Sequence, residues 1–77
     1  MTQTITINTI YNTTITINIS NTDTTDFLKS KIQDIIGVHP DCQYLYYDDV
    51  YLEDNKLLSE YKIANKDIII QYDRIKR

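Results

Sequence analysis

Hydrophobic and polar residues alternate along the first third of the chain. Ile5 and Ile7 flank Thr6, and Ile15, Ile17 and Ile19 are separated by Thr16 and Asn18. A period of two in β-branched residues predicts two strands, each turning a row of isoleucines to a core and its threonines and asparagines to water. Between them, Thr9-Ile10-Tyr11-Asn12-Thr13 predicts a hairpin turn, because Asn12 tolerates a left-handed backbone. The period then changes. Leu28, Ile32, Ile35 and Ile36 follow the i, i+4, i+7, i+8 spacing of an amphipathic helix. Thr22, Asp23 and Thr24 are all suitable N-caps, Gly37 supplies a left-handed C-cap, and Pro40 stops continuation, so the helix is expected over about residues 25–36.

Short strands return in the second half. Gln43 to Tyr47 is aromatic and β-prone, Asp48-Asp49 predicts a turn, and Val50 to Leu52 predicts a short strand. Glu53 to Lys56 reads as a loop, Leu57 to Tyr61 as a single 3₁₀-type turn, and Ile68 to Tyr72 as the final strand. The order ββαβ(β)β with one helix predicts an α+β layer arrangement. No linker, low-complexity tract or internal repeat is read, so residues 1–73 are expected to form one domain, followed by a short basic tail over 74–77.

Composition narrows the class. Seventy-seven residues make one small domain, which buries only about 60% of its unfolded surface and needs a well-organised core. At 42% hydrophobic and 25% charged, the chain is too apolar for disorder. No apolar run approaches the ~18 residues of a membrane span, and Met1 to Ile10 has no basic region of the kind a signal peptide carries. A single cysteine, Cys42, excludes an internal disulfide, which fits a reducing, intracellular compartment, cytoplasmic or nuclear. A net charge of −3 with scattered basic residues argues against nucleic acid as a partner. The abundance of Ile, Asn, Tyr and Lys reflects A- and T-rich codons and bears on nucleotide bias rather than function.

Catalytic chemistry finds little support. His39 precedes Pro40 in a loop without an evident partner, and Cys42 alone does not make a nucleophile–base pair. Asp48-Asp49 with Glu53-Asp54 lacks the ligand spacing of a calcium loop and reads as solvated turns. There is no phosphate loop and no zinc-ligand cluster, so neither enzyme activity nor a cofactor is expected.

The stretch Lys29-Ser30-Lys31-Ile32-Gln33-Asp34, then Gly37, Pro40-Asp41, Gln43, Leu45, Leu52-Glu53-Asp54, Leu58-Ser59, Tyr61 and Ile63, resembles the ubiquitin family. Ile5, Thr14-Ile15-Thr16 and Asp23-Thr24 register with it too, so the resemblance is colinear over essentially the whole chain. It implies a β-grasp fold: a mixed four- to five-stranded sheet packed on one helix. The core would comprise Ile5, Ile7, Ile15, Ile17, Ile19, Leu28, Ile32, Leu45, Leu52, Leu58 and Ile63, with Tyr61 bracing a loop through its hydroxyl. Thr25 stands where the family has an aliphatic residue, which suggests a rotated first turn with Phe27 filling in. The ungapped resemblance turns Ile69 and Gln71 to the core, whereas plain alternation prefers Ile68, Ile70 and Tyr72 inside. A one-residue slip exchanges the two faces, and both registers stay open at this point.

Function follows from the same comparison. Family modifiers use a C-terminal Gly-Gly, whereas the only glycine here is Gly37. The resemblance therefore implies a non-conjugated, monomeric interaction module engaging ubiquitin-pathway or proteasomal proteins. The alternative is a modifier or viral ubiquitin mimic whose diglycine is absent from this chain. The positions that match the family's apolar binding patch are Ile10, Tyr46, Ile70 and Tyr72, with Tyr44 and Val50 in place of basic rim residues. Val50 and Asn65 also occupy the positions of the two most used chain-building lysines, and Lys29 and Lys31 are expected to be solvated helix charges.

Overall fold

The computed structural model describes residues 2–63 and 67–73. Strands β1 (Thr2–Thr9) and β2 (Thr14–Ser20) form the N-terminal hairpin, and helix α1 spans Thr25–Ile36. A 3₁₀ turn at Pro40–Cys42 leads into β3 (Gln43–Tyr47), β4 (Val50–Tyr51), a second 3₁₀ turn at Leu58–Tyr61 and β5 (Ile68–Asp73). The sheet order is β2-β1-β5-β3-β4, with β1 and β5 parallel and the other neighbours antiparallel. This is the mixed five-stranded β-grasp expected from the sequence. Among the described residues, no helix is long and apolar enough to cross a membrane.

Local chemistry sets the element ends. Asn12 takes φ +60° in the first hairpin, and the Thr9 and Thr13 hydroxyls bond across its base. Thr24 is the N-cap of α1, its hydroxyl accepting the Phe27 N–H at 3.2 Å. Gly37 closes the helix at φ +78°, its N–H donating to the Gln33 carbonyl at 2.8 Å. The Asp48-Asp49 turn holds both residues at positive φ, 51° and 65°, the conformation of a two-residue hairpin turn.

The core joins Ile5, Ile7, Ile17 and Ile19 of the hairpin to Leu28 and Ile32 of α1 and to Leu45, Leu52, Leu58, Ile63 and Ile69. Ile15 is only partly buried at its margin. At about 1.5–3 kcal/mol per buried side chain, these residues are the main term opposing the chain entropy of folding. In β5 the core takes Ile69 and Gln71, while Ile68, Ile70 and Tyr72 are exposed. The cause is pairing: Ile69 and Gln71 sit beside Ile7 and Thr9 of β1, which already face inward. The ungapped register is therefore the one adopted.

One rotation of α1 explains three departures from expectation. Its buried residues are Thr25, Leu28, Lys29 and Ile32. At about 100° per residue, their centre lies about 50° from Leu28 toward Lys29. Ile35 then falls about 70° from that centre and Phe27 about 150°, and both are exposed. Phe27 does not fill the first turn; Thr25 itself is buried, and its hydroxyl has no hydrogen-bond partner among the described residues. Lys29, expected in solvent, is only 3% exposed, and its Nζ lies 2.8 Å from Asp54 Oδ1. Lys31 stays on the flank with its ammonium 5.1 Å from the Phe27 ring centroid.

The helix start is tied to the loop before the second 3₁₀ turn. Thr25 N–H donates to Lys56 O at 3.0 Å, Leu58 N–H to Asp23 O at 2.9 Å, and Ser59 N–H to Asn21 O at 3.1 Å. The Tyr61 hydroxyl accepts the Glu53 N–H at 2.9 Å, the bracing role that the family resemblance implies. Asn65 and the 74–77 tail lie outside the described residues.

Candidate functional site

Strand alternation divides β3, β4 and β5 into two faces. Leu45 and Gln43 turn to the core, so Tyr44 and Tyr46 turn out. Tyr44 lies opposite Tyr72 of β5, and Tyr46 opposite Ile70. On the other side, the Asp48-Asp49 turn places Tyr51 of β4 opposite Tyr46. The outer surface of this half of the sheet is therefore Tyr44, Tyr46, Tyr51, Ile68, Ile70 and Tyr72.

The rings touch one another. Tyr46 is 5.5 Å from both Tyr51 and Tyr72, centroid to centroid, with interplanar angles of 57°. Tyr44 meets Tyr51 edge-on at 6.1 Å. Such tilted geometries suit the aromatic quadrupole and hold each ring in place. Tyr44, Tyr46, Asp49, Ile70 and Tyr72 line a depression of about 410 Å³. None of the four tyrosine hydroxyls has a hydrogen-bond partner among the described residues. The surface thus combines rigid apolar area with phenolic donors, the properties that make tyrosine a favoured contact residue.

Two of the residues that the sequence points to stand apart. Val50 pairs with Tyr47, not Tyr46, so it lies on the opposite face of the β3–β4 ribbon. There it lines a separate depression with Tyr47, Asp48, Glu60, Tyr61 and Lys62. The Tyr47 hydroxyl on that side donates to Asp67 Oδ2 at 2.8 Å. That bond to a carboxylate holds the phenol above its usual range. Ile10 is exposed in the first turn, just past Thr9, and does not line the tyrosine depression. Tyr51 is the residue that the sequence reading leaves out. A two-residue turn at Asp48-Asp49 is the signal for it, because that turn sets residue 51 opposite 46.

The rest of the outer face is different in kind. It carries Thr2, Thr4, Thr6 and Asn8 of β1 against Ser20, Asn18, Thr16 and Thr14 of β2. No lysine or arginine projects from the described outer face of the sheet, and Asp49 supplies a negative charge at the tyrosine rim.

The residues weighed for catalysis have structural roles. His39 caps the Pro40–Cys42 turn, its Nδ1 accepting the Asp41 N–H at 3.1 Å. Asp41 Oδ2 lies 3.8 Å from the same nitrogen, beyond hydrogen-bond distance. Cys42 is half-buried in the same turn. Asp54 is engaged by Lys29, and its carboxyl is held below the usual range chiefly by that hydrogen bond. No three acidic, histidine or cysteine side chains among the described residues converge as metal ligands.

The ubiquitin family model matches residues 5–74, from the first core isoleucine of β1 to just past β5. A match over most of the chain agrees with the element order, the mixed sheet and the Tyr61 brace, and on these grounds the chain belongs to the ubiquitin family.

Proposed function

We propose that this domain is a ubiquitin-like interaction module, bound through the tyrosine-lined face of β3, β4 and β5 by intracellular proteins of the ubiquitin pathway or the proteasome. One observation carries the reading: four tyrosines from three strands pack ring against ring on an outward face where their hydroxyls remain free for a partner. Family binding surfaces receive helices and small domains on an apolar patch with a basic rim. Here Tyr44 replaces a rim charge, Val50 is turned away, and Asp49 stands beside the patch. The surface therefore suits partners that present apolar and hydrogen-accepting groups rather than an acidic rim. A helix selected to bind ubiquitin itself should bind weakly.

The competing explanation is that the tyrosines are strand residues chosen for β-propensity alone. Capture of cellular partners by the wild type and by a Tyr46→Ala/Tyr72→Ala double variant separates the two, once amide spectra show that the variant is folded. Loss of specific partners supports the module. Recovery of the same proteins by both removes the patch, and micromolar binding of a standard ubiquitin-interacting helix contradicts the altered rim.

A further inference from the structure

β2 is the terminal strand of the sheet, so among the described residues one of its edges has no neighbouring strand. The hairpin's hydrogen bonds show which groups that edge presents. Thr9 N–H donates to Thr13 O at 3.0 Å, so the bonded pairs continue as Ile7–Ile15 and Ile5–Ile17. The N–H and C=O groups of Thr14, Thr16 and Asn18 therefore point away from β1. The next outward N–H, that of Ser20, is covered by the Asp23 carboxylate at 2.9 Å. The open edge is thus a defined segment, Thr14 to Asn18.

Exposed edges in natural sheets are usually blunted by charges, proline or bulges. The β2 strand itself carries none of these. No charged side chain occurs between Met1 and Thr22, and β2 pairs with β1 without a bulge. What the edge does carry is a repeat that the sequence reading passes over. Thr-Ile-Thr-Ile-Asn occurs twice, as Thr4–Asn8 in β1 and Thr14–Asn18 in β2. The hairpin pairs these copies antiparallel: Thr4 with Asn18, Ile5 with Ile17, Thr6 with Thr16, Ile7 with Ile15, Asn8 with Thr14. Thr4 Oγ1 donates to Asn18 Oδ1 at 2.9 Å, and Thr14 Oγ1 to Asn8 Oδ1 at 3.2 Å. The pentapeptide is therefore self-complementary, and the fold already contains one such pairing.

We propose that the open edge of β2 pairs antiparallel with β2 of a second copy of this chain, joining two sheets into one. The two-fold axis passes between the two Thr16 residues. Thr14 then faces Asn18 of the second copy, Ile15 faces Ile17, and Thr16 faces Thr16, the same side-chain pairs that the β1–β2 ladder makes. Only the alternation differs: here the threonine and asparagine positions exchange main-chain bonds, while the isoleucines form the close, non-bonded pairs. Beneath the edge runs a shallow groove of about 320 Å³ lined by Thr16, Ile17, Asn18, Lys31, Asp34 and Ile35. Its exposed Ile35 offers apolar cover to the incoming isoleucines. Lys31 and Asp34 bring one positive and one negative side chain to the joint. A five-residue ladder is small beside the roughly 1,200–2,000 Å² of stable complexes, so the pairing is transient. The monomer expected from the sequence is its dilute limit.

The test is sedimentation of the full chain from ~10 μM to ~1 mM, with amide spectra recorded over the same range. Wild type should shift toward dimer as concentration rises, with chemical-shift changes centred on Thr14, Thr16 and Asn18. Thr16→Lys places like charges directly opposite at the axis and should weaken association about tenfold or more. Thr6→Lys, on the same face but within an interior strand, should leave it unchanged. Three results overturn the proposal: no concentration dependence, shifts centred instead on Tyr46 and Tyr72, or equal association of wild type and a folded Thr16→Lys variant. An edge that binds an extended peptide of another protein while the chain itself stays monomeric also overturns it.

Discussion

Removing the carboxylate of Asp54 should cost more stability than removing the ammonium of Lys29, although the two make a single ion pair. The asymmetry comes from burial. The Lys29 side chain is 4% exposed, whereas that of Asp54 is 56% exposed. Asp54→Asn leaves an ammonium cut off from water with its main partner gone. Stranding a fully buried charge costs about 3–5 kcal/mol. Here Asp54 faces solvent and the pair is screened, and Asp26 and Asp41 line the same small depression as Lys29. The expected cost falls to about 1–2 kcal/mol. Lys29→Met takes away the charge together with its need for a partner, keeps the apolar stem, and leaves Asp54 in water, for a cost below about 1 kcal/mol. The Gln43 Nε2 bond to the Lys29 main-chain carbonyl, at 3.0 Å, survives either change. Urea unfolding at neutral pH resolves the difference, and for a domain of this size 1 kcal/mol corresponds to about 4–8 °C in Tm. The double variant should return to the level of Lys29→Met, because the loss in Asp54→Asn is that of a stranded charge. If Lys29→Met proves the more damaging change, the reasoning is refuted: the ammonium would then be a net source of stability.

The same pair has a pH signature. Lys29 holds the folded Asp54 carboxyl below its ordinary 3.8, so its contribution is present above that value and lost as pH falls through the lower folded pKa; Lys29→Met should flatten the stability–pH curve below about pH 4. Thr25→Val should raise stability by about 1 kcal/mol, because it replaces a buried hydroxyl without a partner by a methyl group of similar size; a loss in thermal unfolding would mean that the hydroxyl is satisfied. Tyr61→Phe deletes the acceptor of the Glu53 N–H and should lower unfolding free energy by about 1 kcal/mol, with faster amide exchange at Glu53; an unchanged exchange rate would remove the brace.

Local signals were legible where one element decides them. The helix ends follow from Thr24 and Gly37, and the faces of β1 and β2 from strict alternation of isoleucine with threonine or asparagine. Legibility stopped where a second element chooses between local equals. Ile68 to Tyr72 alternates acceptably in either register, and only the parallel pairing with Ile7 and Thr9 decides for Ile69 and Gln71. The rotation of α1 is equally non-local. A stripe of Leu28, Ile32, Ile35 and Ile36 fixes the period of the helix but not the direction in which the sheet lies beneath it. Thr25 and Lys29 inherit their burial from that direction, and Ile35 its exposure. In the candidate site, the resemblance singles out Tyr44, Tyr46, Ile70 and Tyr72, which the strands turn to one outward face. Val50 lies on the other face and Tyr51 beside Tyr46 for one shared reason: the two-residue turn sets which β4 residue shares a face with Tyr46.

The outer face of the sheet carries two chemistries, and the strand order keeps them apart. β1 and β2 present hydroxyls and amides, while β5, β3 and β4 present rings and isoleucines; the uncapped edge of β2 lies at the opposite end of the sheet from β4. Main-chain pairing at one edge depends on backbone register and tolerates little besides a strand. Side-chain recognition on the tyrosine face depends on shape and desolvation and accepts a helix or a small domain. On the proposed reading, a partner on the tyrosine face need not cover the β2 edge, so a bound domain keeps the means to meet a second copy. On that same reading, two weak contacts of different kinds can reinforce each other through effective concentration, a route to avidity without a large interface.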